Sequence, residues 1–226
     1  MELNADLHIH SRFAMATSPD MTPENILAGC RQKGISAVAT GDALHPVWRE
    51  MWKPFLDAGD VVAVPETEVE DERRVHHLIL MESMEQFADL QERLTKYCSH
   101  LTTAGRPHLY ASGEVIASEV HRLGGLIGPA HAFTPWTSLF AAYEKPSDCY
   151  GEEGFDFCEL GLSADSSYGA GIAEFEHTPF LTNSDAHSHY PTKLGREFTR
   201  LDVRGTKPAD VLRAVAEGSI TLNAGF

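Results

Sequence analysis

The chain lacks long apolar runs, paired cysteines and a secretory leader. No stretch approaches the roughly 18 apolar residues that indicate a membrane span. The four cysteines form no Cys-x-x-Cys pair, and no basic segment followed by an apolar one opens the sequence. We therefore expect no membrane partner and a reducing, cytoplasmic setting.

Basic residues are also few. The 226 residues include 18 Lys and Arg against 33 Asp and Glu, which gives a formal net charge of −15. Such a charge repels nucleic acid unless bound cations or an attached basic segment change the local field, so it argues against an autonomous DNA-binding protein. With 42% apolar residues, the chain can supply the core of a single α/β domain, which we expect to span residues 1–226.

Twelve histidines are present, and several stand beside carboxylates at the ends of predicted strands. Strand-like and helix-like segments alternate along the chain, which predicts a mostly parallel sheet wrapped by helices. Polar clusters fall at or just after the carboxyl ends of these strands, where α/β folds collect functional groups. We expect one shared site built from the clusters HIH, GDALH, ETE, PAHAF, CELG and NSDAH.

Two short motifs predict a metal site. In DLHIHS, a predicted strand over 3–10 places Asp6, His8 and His10 on one face, and Asp185 and His187 repeat this spacing in SDAH. Unpaired buried acids cost several kcal/mol unless a cation or a full set of hydrogen bonds offsets that cost. Imidazole with carboxylate suits zinc, manganese or iron. Either motif alone is a weak signal, but the further strand-end residues strengthen it, namely His45, Glu68, His76 and His131.

Longer motifs extend over nearly the whole chain: ADLHIHSRFAMATSPDMTPENI, TGDALHPVW, VHHLIL, GRPHLY, GGLIGPAHAFTPWTSLF, ELGLSAD and TNSDAHSHYPTKLGREF. They resemble the PHP (polymerase and histidinol phosphatase) superfamily, and more specifically the PHP domain of the endonuclease Q family. The resemblance implies a distorted seven-stranded (β/α) TIM-like barrel. It also implies a metal-dependent hydrolase that nicks DNA on the 5′ side of uracil, hypoxanthine or abasic sites.

The resemblance implies two to three divalent cations, which could be zinc, manganese, iron or magnesium. Two of them would share Glu68. The ligands of the first would be His8, His10 and Asp185, those of the second His76 and His131, and those of a third Asp20, His45 and His187. Within this set, the catalytic residues would be Asp185, Glu68 and His131.

Several assignments stay open. In GDALH, either Asp42 or His45 replaces the superfamily's usual histidine, and we favour His45. Only one of the adjacent residues His76 and His77 can face the site from a strand, and the alignment of VHHLIL favours His76. We expect Asp6 to orient a histidine rather than to bind metal. The acids that flank Glu68 on the same strand face are expected to be solvated, namely Glu66 and Glu70.

A further set of residues is expected on the substrate side. Lys193 and Arg196 are candidates to pair with a phosphate oxygen, with surface ion pairs as the equal alternative. Glu159 and Asp165 would contact substrate or simply form loop structure. An aromatic just after His131 could stack on a base or wedge a duplex, and the candidates there are Phe133, Pro135 and Trp136.

Damaged DNA is the expected partner, although the endonuclease Q family grips DNA with a C-terminal zinc-binding segment and a further region that this chain lacks. We expect either a domain cut from a longer protein or a natural short form. The net charge of −15 also favours an alternative, a phosphoesterase acting on a small phosphate such as a nucleotide or histidinol phosphate. A regulatory PHP domain that keeps its metals for stability is the third possibility.

Overall fold

The computed structural model describes residues 1–57, 59–162 and 164–225. The described strands are β1 (Glu2–Asp6), β2 (Ala37–Ala39), β3 (Val62–Val64), β4 (Glu66–Glu70), β5 (His76–Leu80), β6 (Leu126–Pro129), β7 (Cys158–Glu159), β8 (Phe180–Leu181), β9 (Phe198–Asp202) and β10 (Ile220–Ala224). The helices are α1 (Pro23–Lys33), α2 (Pro46–Trp52), α3 (Met84–Leu94), α4 (Gly113–His121), α5 (Leu139–Ala142), α6 (Pro146–Tyr150) and α7 (Pro208–Ala216). Across these three ranges, every helix is too short or too polar to cross a membrane.

The strands lie in three sheets, so the fold is a mixed α/β fold. One sheet has the order β10-β9-β1-β2-β3, a second β4-β5-β6, and a third β7-β8. Among the strands in the described ranges, three pairs are parallel and four are antiparallel, so the expectation of a mostly parallel sheet is wrong. For β4 and β5, the antiparallel pairing follows from their short connection. A tight turn, closed by a hydrogen bond from Arg74 N–H to Asp71 C=O, joins these two strands. A parallel crossover needs a dozen or more residues.

The helix ends follow their local sequence. The Thr22 side chain accepts a hydrogen bond from Asn25 N–H, Pro23 occupies the first turn of α1, and Gly34 ends it in the left-handed region. The spacing of Ser83 and Gln86 predicts a capping box, and the structure forms it at the start of α3. Because these signals lie within a few residues of each other, the sequence predicts them well.

Two buried indoles fix the segment that follows β2. Trp48 and Trp52, both on α2, donate their Nε1–H groups to the same carbonyl, Thr40 C=O, at 2.9 and 3.1 Å. Both rings are fully buried, and indoles of this size contribute several kcal/mol of burial. They therefore hold α2 against the end of β2 and fix the loop that carries Asp42 and His45.

The first strand ends earlier than predicted, but the backbone after it stays extended. β1 stops at Asp6, after which Leu7 N–H donates to the Asn183 side chain at 2.8 Å. Ile9 then forms an isolated parallel bridge with Ala186, so the chain stays extended as far as His10. This places the segments that carry the two predicted metal-binding motifs side by side.

Candidate metal centre

The first group of candidate ligands combines His8, His10 and Asp185. The Oδ1 atom of Asp185 lies 3.2 Å from His10 Nε2 and 3.7 Å from His8 Nε2. All three atoms are buried, and none has a hydrogen-bond partner in the described part of the chain. Buried polar atoms are normally paired, so three unpaired atoms that converge are a set of ligands suited to a divalent cation.

The outer ring nitrogens of both histidines are held by carboxylates. His8 Nδ1–H donates to Glu159 at 2.9 Å, and His10 Nδ1 lies 3.2 Å from Asp42 Oδ1. Asp42 also accepts a bond from Ser11 N–H at 2.7 Å. This pattern fixes the tautomer, because a proton on Nδ1 leaves the Nε2 lone pair free for a metal.

The second group combines Glu68, His76 and His131. The Oε1 atom of Glu68 lies 2.9 Å from His76 Nδ1 and 3.1 Å from His131 Nε2. On its other side, the His76 ring contacts Glu70 at 3.3 Å, and His131 Nδ1 lies 3.2 Å from Thr134 Oγ1. These histidines therefore also have one ring nitrogen toward the centre and the other held by a neighbour.

Glu68 links the two groups. Its Oε1 lies 3.7 Å from His8 Nε2, and its Oε2 lies 3.4 Å from His10 Nε2. The carboxylate is fully buried, so it stands between the two sets of imidazoles instead of facing water. A carboxylate in this position can serve two cations at once, which is the arrangement found in two-metal hydrolytic sites.

Arg106 also reaches the centre, although no metal-binding motif includes it. Its Nη1–H donates to Glu68 Oε2 at 3.0 Å, with the side chain half-buried. The loop is held close by Gly105, where a Cβ would lie 2.6 Å from Ala14 N and 2.7 Å from Asp42 Oδ2. The GRPHLY motif was the available signal, but it carries no metal-ligand spacing.

The charges at the centre are strongly coupled. Burial acts to raise the pKa of Glu68, but His76, His131 and His8 outweigh it and hold that pKa well below the usual range. Burial likewise acts to lower the pKa of His8, whereas the Glu159 and Asp185 carboxylates raise it well above the usual value. Protons and cations therefore compete for these nitrogens, and cation binding must release protons.

The backbone is strained at several site residues. Asp42, His131 and Asp185 have positive φ angles of 42°, 33° and 47°, a region that side chains other than glycine rarely adopt. Gly161 packs against His131, since a Cβ there would lie 2.9 Å from His131 Cβ. Strain of this kind is maintained where the surroundings fix a functional geometry.

The residues implied for a third cation are only partly assembled. His187 lies beside the first group, with its ring 4.4 Å from that of His10 and its Nδ1 3.6 Å from Asp185 Oδ1. The His45 ring stacks on Phe13 at 3.9 Å, and burial lowers the pKa of His45. Asp20 is exposed in the turn before α1, and no described hydrogen bond or ion pair joins its side chain to either histidine.

Three acids differ from their expected roles. Asp6 accepts bonds from Ser184 N–H, Ser184 Oγ–H and Gly195 N–H, and burial raises its pKa to about 6. Asp6 therefore holds the segments that carry Ser184 and Gly195. The histidines are instead oriented by Glu159 and Asp42. The expectation of solvated acids is also wrong, because β4 is covered on this face and both flanking residues are buried, namely Glu66 and Glu70.

The adjacent histidines of β5 point to opposite sides, as strand geometry requires. His76 faces Glu68, whereas His77 faces Asp71 and Tyr150. The two candidate residues of the GDALH segment also have different positions. Asp42 supports His10 through the ring, and His45 stands at the start of α2.

Two cavities open beside the centre. One of ≈ 230 Å³ is lined by His131, Asp185, Glu159 and the exposed Trp136. Another of ≈ 320 Å³ is lined by Asp185 and His187 together with the two predicted phosphate-binding residues, Lys193 and Arg196. Arg196 also donates to Ser184 C=O at 3.0 Å.

Asp165 lies in an exposed turn and accepts from Ser167 N–H.

The chain is similar in sequence and fold to several known proteins. No family model matches the chain. The crystal structure of the lesion-specific endonuclease PfuEndoQ from Pyrococcus furiosus covers the whole chain with a TM-score of 0.95 and 41% identity. Endonuclease Q in complex with a 27-mer duplex that has an abasic lesion at the active site matches 95% of the chain with a TM-score of 0.91 and 41% identity.

One distant structural match supports the fold, and two curated proteins match in sequence. A two-domain protein from Bacteroides vulgatus with a predicted PHP-like metal-dependent phosphoesterase matches 97% of the chain at a TM-score of 0.71 and 11% identity. Uncharacterized protein YqxK of Bacillus subtilis is 35% identical over the whole chain. Uncharacterized protein MJ0043 of Methanocaldococcus jannaschii is 44% identical over 139 residues, 62% of the chain.

The chain shares its fold with the protein that contains a predicted PHP-like metal-dependent phosphoesterase. The chain also resembles endonuclease Q over its whole length. It spans 59% of the PfuEndoQ chain, 65% of YqxK and, in the matched stretch, 17% of MJ0043. The chain therefore corresponds to less than two thirds of each of these proteins.

Proposed function

We propose that the chain is a metal-dependent phosphodiester hydrolase of the endonuclease Q type, which nicks DNA on the 5′ side of uracil, hypoxanthine or an abasic site. One observation carries the proposal. Glu68 lies between two sets of histidine and carboxylate ligands, in a chain 41% identical along its length to a lesion-specific endonuclease. A DNA-repair role follows from this substrate.

The cofactors we propose are two to three divalent cations, drawn from zinc, manganese, iron and magnesium. When bound, a pair of such cations activates a water and stabilises charge on the attacking and leaving oxygens of a phosphodiester. The protein's part is to hold the ligands in place, with Glu68 common to both groups. Asp185 and His131 complete these groups at the cavity wall, and His187 is the ligand we assign to a third cation, with Asp20 and His45 as its implied partners.

We assign the substrate contacts to residues around the two cavities. Arg106, Lys193 and Arg196 offer positive charge beside the centre, where a phosphate would otherwise meet many carboxylates. Trp136 is 77% exposed at the rim, which is a suitable position for stacking on a base. Glu159 is buried behind His8 and is proposed to act on substrate through that ring.

We further propose that residues 1–226 form one PHP domain with a distorted seven-stranded barrel. Three observations support barrel closure. Pro65 is the single residue between β3 and β4, Asp156 N–H donates to Ile127 C=O between the segments of β7 and β6, and His10 N–H donates to Ala186 C=O beyond β1 and β8. Four free, buried cysteines support a reducing, cytoplasmic location.

The test uses end-labelled duplexes that carry a single uracil, hypoxanthine or abasic site, with an undamaged duplex as control. The chain is incubated at low ionic strength with manganese, magnesium or zinc. We expect a nick 5′ of the lesion that requires the cation. Equal cutting of damaged and undamaged duplex would contradict the lesion preference and leave only a general phosphodiesterase.

A second candidate is hydrolysis of a small phosphate ester. The net charge of −15 favours it, because long-range repulsion penalises a polyanion far more than a mononucleotide. The same incubations therefore include nucleoside monophosphates and histidinol phosphate. Phosphate release from these compounds, with every duplex left intact, would replace the first proposal by the second.

A further inference from the structure

A separate cluster of ligand-type atoms lies on the other side of β5 from His76. Asp71, His77 and Cys149 each contribute one atom, and these oxygen, nitrogen and sulfur atoms all lie within 4.8 Å of one another. The three residues come from the turn after β4, from β5 and from α6, and all are buried. None of them belongs to the two groups around Glu68.

Two atoms of this cluster have no hydrogen-bond partner. Asp71 Oδ2 and His77 Nε2 lie 3.3 Å apart, yet both are unpaired in the described part of the chain. A buried polar atom without a hydrogen bond destabilises a folded protein. The two atoms lie within ion-pair distance, and both remain available to a shared ligand.

The remaining polar atoms of both side chains are fixed by neighbours. Asp71 Oδ1 accepts bonds from Arg73 N–H and Val75 N–H at 2.8 Å each. His77 Nδ1 lies 2.7 Å from the Tyr150 hydroxyl. Each residue thus has one atom held from behind and one directed into the cluster, which is the usual arrangement of metal ligands.

The spacing also fits a metal. Two ligands about 2.0–2.1 Å from a tetrahedral zinc lie about 3.3–3.4 Å from each other, which agrees with the 3.3 Å between Asp71 Oδ2 and His77 Nε2. Gly113 keeps the space open, because a Cβ there would lie 2.6 Å from Cys149 Sγ and 3.1 Å from His77 Cε1.

We propose that Asp71, His77 and Cys149 bind a structural divalent cation, with zinc as the best match, independent of the centre around Glu68. Sulfur, imidazole nitrogen and carboxylate oxygen form a ligand set of the kind that zinc accepts. On binding, the Cys149 S–H bond breaks, its proton leaves to water and a sulfur–metal bond forms. The carboxylate and the thiolate then balance the two positive charges, and the cation joins the β4–β5 turn to α6.

Cobalt spectroscopy separates this site from the other centre, because the groups around Glu68 contain no cysteine. The full chain is unfolded in chelator and refolded with Co²⁺, since a buried site exchanges slowly in the folded state. We expect a near-ultraviolet thiolate-to-cobalt charge-transfer band in the wild type. The same band is expected in Cys30→Ser, which removes another buried thiol, and at least a tenfold loss in Cys149→Ser.

Two results would overturn the proposal. One is a wild-type spectrum in which visible cobalt bands report occupation of the Glu68 centre while the charge-transfer band is absent. The other is a band that survives in Cys149→Ser. If Cys149→Ser does not fold, Asp71→Asn decides the question, because a weakened or shifted band supports the site and an unchanged band excludes Asp71 as a ligand.

Discussion

At the scale of single residues, the centre depends on histidines whose two ring nitrogens have different partners. Glu159 and Asp42 hold the outer nitrogens of His8 and His10, and Glu70 contacts the outer nitrogen of His76. A carboxylate behind each ring raises its basicity and fixes its orientation. The carboxylates in front can then be assigned to the cations themselves, with Glu68 shared.

Asp185→Asn should remove a ligand without changing the shape of the side chain. An amide cannot supply a charged oxygen, so we expect the lesion-dependent nicking rate to fall at least about 100-fold and the bound metal to fall below two equivalents. Asp60→Asn is the matched control, because Asp60 forms a surface ion pair with Arg31. Retained nicking in Asp185→Asn would remove Asp185 from the catalytic group.

Arg106→Gln should separate cation binding from turnover. Removing a positive charge 3.0 Å from Glu68 should raise cation affinity roughly tenfold and lower the nicking rate, because a phosphate contact is lost. Arg74→Gln is the control, since Arg74 is exposed and lies 3.5 Å from Glu70. Titration of both variants with Mn²⁺ gives the affinities. If Arg106→Gln binds cations more weakly, Arg106 supports Glu68 and does not compete with the metal.

Residue patterns predicted some of this centre and missed the rest for identifiable reasons. The alternate spacing in DLHIHS placed His8 and His10 together because strand geometry is local. Arg106 was missed because it meets Glu68 across 38 residues of sequence, and no periodicity links a loop to a strand at that distance. Asp6 was misjudged because its partners come from a loop near the other end of the chain.

At the scale of elements, the ends of strands and the loops after them set the positions of the ligands. Gly161 follows β7 and supports His131 by close contact. Gly161 has a φ of 87°, and Gly154 has a comparable φ of 76° but nothing near its Cβ position. The two glycines have similar φ angles, but only Gly161 has His131 beside its Cβ position.

Gly161→Ala should lower both stability and activity, whereas Gly154→Ala should lower stability alone. Each substitution forces a side chain into the left-handed region at about 1 kcal/mol, which urea unfolding measures. Displacement of His131 adds a loss of nicking of roughly tenfold or more in Gly161→Ala. Equal activity in the two variants would show that this contact does not position His131.

An ion cluster joins α4 to the segment before β7 and should respond to pH. His121 donates to Asp156 and lies 2.7 Å from Glu153, and the hydrogen bond to Asp156 is the main cause that raises its pKa to about 9. A histidine pKa above its usual value of about 6.5 adds stability that is complete below pH 6.5 and is lost as pH rises through 9.

His121→Gln should therefore destabilise the protein most at low pH within this window. After allowance for solvent screening, we expect a difference of about 1 kcal/mol from the wild type at pH 6.5, which shrinks towards zero above pH 9. Urea unfolding at several pH values measures it, with the exposed His177→Gln as control. A difference that does not change with pH would exclude the charged pair as its cause.

Element prediction succeeded where the signal is local. The capping box of α3 and the proline and glycine ends of α1 each depend on neighbouring residues. The direction of strand pairing depends on distant partners, so the antiparallel pairs of β5 with β4 and β6 could not be read from alternation alone. Pro65, which lacks an N–H, lies between β3 and β4.

For the whole molecule, the net charge and the candidate metal centre have opposite effects on the approach of nucleic acid. The formal charge of −15 disfavours approach of a nucleic acid at long range, while the centre collects acids that divalent cations would neutralise. Cation binding therefore serves two purposes in this account, since it assembles the site and reduces local repulsion. A molecule of this kind should depend on metal for both substrate binding and hydrolysis.

We propose that Glu68 contacts two cations, and anomalous diffraction from crystals grown with Mn²⁺ would show whether it does. We predict two anomalous peaks, about 3.5–4 Å apart as in other two-metal sites, one beside His8, His10 and Asp185 and the other beside His76 and His131, with Glu68 touching both. A single peak, or peaks that leave Glu68 without a metal contact, would contradict the account.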